Sequence, residues 1–199
     1  MSKQILFNIC KAPFMGKFIG IVFQYFSWAI PVKKVYSSKE VIAFCHPKPS
    51  YKNHVVIVPK RAVANLQQLM EECFCEYFIR IWEAANAICA THPEYQDSFV
   101  LVANGGKRQE VKQVHFHMFT NQDIVNAEWE IYKMIPTTSE LQLSKEYIQQ
   151  ILQSIELLDK ELDIVQKGYS LVYQYEKQRS NVDIPTFYIV AGKKGEISK

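Results

Sequence analysis

From Val63 to Thr91 apolar side chains recur with the period of an α-helix, at Leu66, Leu69, Met70, Phe74, Tyr77, Phe78, Ile81, Trp82, Ala85 and Ile88. No other pattern limits the fold as much, because so long a helix has to be buried along one face. His92-Pro93 ends it. Ahead of it, Val32 to Tyr36, Glu40 to Cys45 and His54 to Val58 are short β-branched and aromatic runs, separated by Ser37-Ser38 and the proline-containing piece 46–51. Behind it, Phe99 to Ala103 reads as a fourth strand, Asn104-Gly105-Gly106-Lys107-Arg108 as a loop of turn formers, and Val111 to Phe119 as a fifth strand. Three strands, one long helix and two strands argue for an α+β domain with an antiparallel sheet.

The fifth strand carries the chemistry. Side chains alternate across a strand, so Gln113, His115 and His117 are expected on one face and Val114, Phe116 and Met118 on the other. A metal-binding pair and two histidines on a solvated face are the plain alternatives.

The composition fits a globular chain: 199 residues, 48% hydrophobic and 22% charged. A net charge of +3, with its basic residues scattered, gives no electrostatic case for nucleic acid. The five cysteines (Cys10, Cys45, Cys73, Cys75, Cys89) are odd in number and contain no Cys-x-x-Cys. That fits neither a disulfide framework nor a cysteine-rich zinc site, and a reducing cytoplasm is the expected setting. Cys73 and Cys75 are expected to be buried as small hydrophobes within the helix.

Residues 13–31 are the most apolar stretch, but Lys17, Gln24 and Ser27 interrupt it and no small-x-small cleavage site follows, against a membrane span or a signal peptide. Phe14, Phe18, Ile21, Val22, Tyr25 and Ala29 share one helical face. A helix docked on the protein body is the favoured expectation for this N-terminal extension, residues 1–28, and a weak contact of residues 13–30 with a membrane surface is the alternative.

Beyond residue 125 the pattern changes. Ser144 can cap an amphipathic helix with Ile148, Ile151, Ile155, Leu158, Leu162 and Val165 on its apolar stripe, ended by Gly168. Tyr169 to Tyr175 and Phe187 to Ala191 then read as two strands around a polar turn. This C-terminal extension, residues 126–199, is a helix followed by a hairpin. The hairpin rhymes with the earlier one: Ser170-Leu171-Val172 is like Phe99 to Val102, and Pro185 to Val190 is like Val114 to Phe119. Chance is the favoured explanation, and a degenerate second half the alternative.

Residues 29–125 resemble the histidine triad (HIT) family of nucleotide hydrolases and transferases. The resemblance rests on an ordered series: Ile30 to Tyr36, Val41 to Phe44, His54 to Lys60, Asn104-Gly105-Gly106, Gln109, and the strand Gln113-Val114-His115-Phe116-His117-Met118-Phe119, which matches the family's His-φ-His-φ-His-φ-φ signature, φ being apolar. It implies a HIT-like antiparallel sheet with a long helix. His115 matches the histidine that attacks the α-phosphorus to form a nucleotidyl-histidine, and His117 the one that bonds phosphate oxygens. Asn104 and Gln109 match phosphate-holding positions. Gly105 and Gly106 match the loop whose backbone approaches the ligand, and His54 matches a histidine with a structural place beside the site. The scheme requires neither metal nor cofactor. It implies a purine nucleoside phosphate as the bound partner, and a homodimer pairing through the long helix and an edge strand.

Four positions depart from the family pattern. Gln113 replaces the first histidine, Glu110 stands where many members bond phosphate through a hydroxyl, and His46 stands where many bond the ribose through an aspartate. Phe7 and Cys10 occupy a zinc-binding Cys-x-x-Cys of some members, so no zinc site is expected there. Three functions follow in order: hydrolysis at the α-phosphorus of a phosphoramidate or dinucleoside polyphosphate; nucleotide binding or scaffolding without turnover; and nucleotidyl transfer.

Overall fold

A computed structural model of the chain describes Val22 and residues 32–120, 129–136, 143–176 and 186–193. The helix expected over residues 13–31 lies, apart from Val22, outside the described residues. The described strands form one eight-stranded antiparallel sheet. In chain order they are β1 (Lys34–Ser37), β2 (Val41–Cys45), β3 (Val55–Pro59), β4 (Ser98–Gly105), β5 (Phe116–Phe119), β6 (Trp129–Pro136), β7 (Tyr169–Glu176) and β8 (Thr186–Lys193). Their order across the sheet is β1-β2-β3-β5-β4-β7-β8-β6. The described helices are α1 (Leu66–Met70), α2 (Cys75–Thr91), α3 (Lys145–Leu162) and α4 (Ile164–Lys167), with short 3-10 turns at Pro93–Tyr95 and Gly106–Arg108.

One hydrophobic core joins the sheet to the helices. Val41, Ile57, Leu101, Phe116, Leu171, Phe187 and Ile189 from the strands meet Leu66, Phe78, Trp82 and Ile88 from α1 and α2, and Tyr147, Ile148 and Ile151 from α3. The sheet therefore runs across the boundary expected near residue 125, and the two stretches share their interior. Among the described residues no helix is long and apolar enough to cross a membrane.

Local details depart from the sequence reading where tertiary partners take over. The helix expected from Val63 to Thr91 breaks at Glu71–Phe74. Asn65 caps α1 by accepting the Gln68 N–H at 2.8 Å, and the Met70 carbonyl accepts 2.6 Å from Gln149 Nε2 of α3. A carbonyl already satisfied from outside removes one penalty for interrupting the helix. Cys73 falls in that break and is exposed, contrary to the expectation of burial, whereas Cys75 is buried. The helix capped by Ser144 stops at Asp163, which takes φ 54°, and resumes for one turn before Gly168 at φ 83°.

Strand β6 was not anticipated. Within its sequence Trp-Glu-Ile-Tyr-Lys-Met-Ile-Pro, Ile131 and Met134 are exposed, and Ile135 is the buried anchor. The expected strand Val111–Phe119 pairs only over Phe116–Phe119. Upstream of it the chain turns inward. The Val114 N–H bonds Val63 O at 2.8 Å, and Gln113 is 2% exposed. β4 is covered by β7 along its whole length, from Ser98↔Glu176 to Gly105↔Tyr169. A dimer joined strand to strand through β4 has no free backbone groups to use.

Candidate functional site

The site lies on the sheet face away from the helices. On β5 the Phe116 and Met118 side chains enter the shared core while His117 projects to the other side, level with Val56 on β3 and Val102 on β4. His115 stands just before β5, its ring edge-on to His117 with centroids 4.9 Å apart. Residues from the β2–β3 connection complete the cluster. His46 stacks flat on His54, centroids 4.3 Å apart and planes within 5°, and the His54 and His117 rings are 5.1 Å apart. Four of the chain's five histidines thus meet at one place; the fifth, His92, closes α2.

Hydrogen bonds fix which nitrogen of each ring carries the proton. A carbonyl can only accept, so the 2.8 Å contact of His115 Nδ1 with Gln113 O places the proton on Nδ1 and leaves a lone pair on Nε2. A backbone amide can only donate, so His54 Nδ1, 3.3 Å from the Ser50 N–H, is unprotonated and its Nε2 bears the hydrogen. His54 Nε2 then donates across 2.9 Å to His117 Nδ1, which leaves His117 with an N–H at Nε2. His46 Nδ1 accepts from the Lys48 N–H at 3.1 Å. One ring thus offers a nucleophilic nitrogen, and its neighbour a hydrogen-bond donor.

Burial keeps all four rings neutral. It pulls the His54 imidazole down to about 4, helped by the positive charge that His46 and His115 would carry if protonated. His117 is lowered well below the usual value, first by burial and then by the other histidines. His115 is lowered by burial, opposed by its bond to the Gln113 carbonyl and by the Glu110 carboxylate. His46 is lowered by burial. Four imidazoles this close cannot all be charged, and the neutral form is the one that can attack phosphorus or bind a metal.

His46, His54 and His117 also form a candidate metal cluster, their nitrogens lying within 4.8 Å of one another. Donors around a tetrahedral zinc stand about 3.3 Å apart. The trio would have to close up, and His54 would have to give up its bond to His117.

The structure sorts the remaining sequence candidates into four places. Asn104, half-buried near the end of β4, projects to the histidine face, and its Oδ1 accepts 2.8 Å from Ser170 Oγ of β7. Gln113 does not join the histidine row, because the chain has left the strand there. Its carboxamide is used up on the segment after β3: Nε2 donates to Pro59 O (3.2 Å) and Arg61 O (2.9 Å), and Oε1 accepts the Val63 N–H (3.3 Å). Gln109 likewise braces backbone, Nε2 donating to Ala64 O and Val111 O, while its Oε1 is buried without a hydrogen-bond partner among the described residues. Glu110 is exposed. The glycines are pressed against the C-terminal part of the chain: a Cβ on Gly105 would run into the Tyr169 ring, and one on Gly106, at φ +57°, into the Val165 backbone.

Sequence reasoning missed Ser170 and Tyr51. The Tyr51 ring stacks on Phe119 with centroids 4.1 Å apart and meets His54 edge-on at 5.5 Å, making an aromatic wall beside the histidines. No local pattern marks either residue, since both act through partners on other elements.

Comparison with known proteins finds similarity over the first domain. The family model described as "HIT domain" matches residues 28–124. An uncharacterized HIT-like protein of Methanocaldococcus jannaschii is 29% identical over 91 residues, covering 45% of this chain and 68% of that protein. The "Protein hit" of Bacillus subtilis is 28% identical over 94 residues, covering 45% of this chain and 60% of that one. Among solved structures, a histidine triad protein from Clostridium difficile superposes with a TM-score of 0.49 at 27% identity, over 54% of this chain and 95% of its own. Over residues 28–124 the chain matches the HIT domain and is similar to histidine triad (HIT) proteins.

Proposed function

We propose that the chain is a nucleotide hydrolase that cleaves at the α-phosphorus through a nucleotidyl group on His115. The observation that carries this reading is the tautomer of His115. With Nδ1–H held by the Gln113 carbonyl, Nε2 is unprotonated and keeps its lone pair, and the His117 ring stands edge-on 4.9 Å away. Attack by Nε2 forms the N–P bond as the bond from phosphorus to the leaving amine or phosphate breaks. The positive charge that then spreads over the imidazole is stabilised by the Nδ1–H···O=C contact. His117, through Nε2–H, donates to the phosphate oxygens as charge grows on them. Water attacking the phosphorus breaks the N–P bond, releasing a nucleoside monophosphate and restoring neutral His115. Adenosine phosphoramidate and dinucleoside polyphosphates are the substrates to try.

Mass spectrometry after incubation with adenosine phosphoramidate tests the reading. One adenylyl group on His115, absent from His115→Ala, is the expected result; no turnover and no adduct would overturn it. The exposed carboxylate of Glu110 and the committed carboxamide of Gln113 favour a second reading, a nucleotide-binding protein without turnover. Tight binding of AMP with no adduct would select it.

A further inference from the structure

We infer that the unit formed by β6, α3, β7 and β8 is a degenerate second copy of the unit formed by β3, α2, β4 and β5, seated where the partner subunit of a dimer would otherwise lie. This copy has lost its own histidines, and its Ser170 positions Asn104 for the one site that remains.

The sheet order carries the duplication. Each unit runs strand, helix, strand, strand, and the six strands lie as β3-β5-β4 and then β7-β8-β6, a palindrome about the β4–β7 junction. The hydrogen-bond register repeats it residue by residue. One row crosses the sheet as Val56, His117, Val102, Val172, Tyr188 and Met134, symmetric about the Val102↔Val172 pair. His117 follows Val102 by fifteen residues and Tyr188 follows Val172 by sixteen. Phe116 and Phe187, next to these positions, are both fully buried, and both touch Phe78 of α2, at 5.3 and 5.8 Å between ring centroids. Chance pairing of two unrelated hairpins has no reason to reproduce strand order, register and core position together.

By this symmetry Thr186 and Tyr188 stand at the places of His115 and His117, so the second copy has no nucleophilic nitrogen and no imidazole donor. The symmetry is also broken in favour of the first copy. Ser170 lies opposite Asn104, while the symmetric position pairs Val100 with Gln174. Ser170, 1% exposed, donates to Asn104 Oδ1. The Asn104 NH2 group is thereby turned away from β7, left to donate to a phosphate. The same copy supplies Val165 and Tyr169, against which Gly106 and Gly105 are pressed, so the loop after β4 is also held from the C-terminal side. The role of Ser170 rests on the reading of Asn104 as a phosphate-site residue; the duplication does not.

Two measurements on the full chain test this inference. Sedimentation equilibrium is expected to give the mass of one chain, 23.2 kDa, and calorimetry one AMP per chain; a mass of two chains, or two AMP per chain, overturns the replacement of a partner. Ser170→Ala is expected to weaken AMP about 3- to 10-fold, the worth of one oriented hydrogen bond, and to have no further effect once Asn104→Ala is present. Additive losses, or no loss from Ser170→Ala, overturn its positioning role. A parent chain that binds no AMP overturns the reading of the site together with the role of Ser170, while the mass still decides whether the second unit replaces a partner subunit.

Discussion

His54 Nε2 lies 2.9 Å from His117 Nδ1, and this contact decides what His117 can do. The chain Ser50 N–H to His54 to His117 has one direction, set by an amide that can only donate. It delivers a hydrogen to the open side of His117 without charging either ring. Replacing His54 by Ala lets His117 adopt the other tautomer. His54→Ala is expected to lower kcat about 100-fold, the lower end of what losing one donor to a developing oxyanion costs, with KM changed much less; steady-state kinetics with adenosine phosphoramidate measures the split.

Stability is expected to fall as the medium is acidified below the ordinary histidine range. The folded chain holds His54 near 4, below its unfolded value of 6.5, so between these limits the unfolded chain binds more protons. The stabilisation is therefore complete above about pH 6.5 and lost on going down toward pH 4, at about 1.4 kcal/mol per pH unit for each proton in the difference. His46, His115 and His117, all shifted the same way, add to the slope. Urea unfolding at pH 7 and pH 5 compares the two conditions, and His54→Asn should flatten the dependence.

Gly106→Ala tests the loop after β4. Its φ of +57° costs an L-residue about 1–2 kcal/mol, and the new Cβ would meet the Val165 backbone, which cannot swing away as a side-chain tip could. A loss of more than about 2 kcal/mol is expected in chemical denaturation.

The two units are expected to unfold as one. Phe187 and Phe116 both pack on Phe78 of α2, and Trp82 meets Tyr173 of β7 edge-on at 4.5 Å. Phe187→Ala should cost about 3–5 kcal/mol and shift a single calorimetric transition. Two separated transitions would show that the interior is not shared.

Gln113→Ala is expected to cost about 1–3 kcal/mol, because the Val63 N–H and the Pro59 and Arg61 carbonyls lose a common partner. Since the His115 tautomer depends on the Gln113 backbone and not its side chain, the adduct on His115 should still form. Thermal melting and mass spectrometry on one preparation measure both effects.

Local sequence pattern alone determined the strands β1 to β5, the main apolar helix up to His92-Pro93, the amphipathic helix capped by Ser144, and a polar position at His115 and His117 backed by Phe116. These follow from periods of 3.6 and 2, which a short window contains whole. It favoured chance as the source of the rhyme between the hairpin at 169–193 and the first, it missed β6, and it placed Gln113 on the histidine face. Only the tertiary structure decided that β7 pairs with β4, that Gln113 turns inward to brace residues 59–63, that Gly105 and Gly106 are pressed by Tyr169 and Val165, and that Ser170 faces Asn104. The physical reason is distance along the chain. Hydrogen-bond partners such as Asn104 and Ser170, or His54 and His117, lie more than sixty residues apart, and a local period says which way a side chain points but not what it will meet.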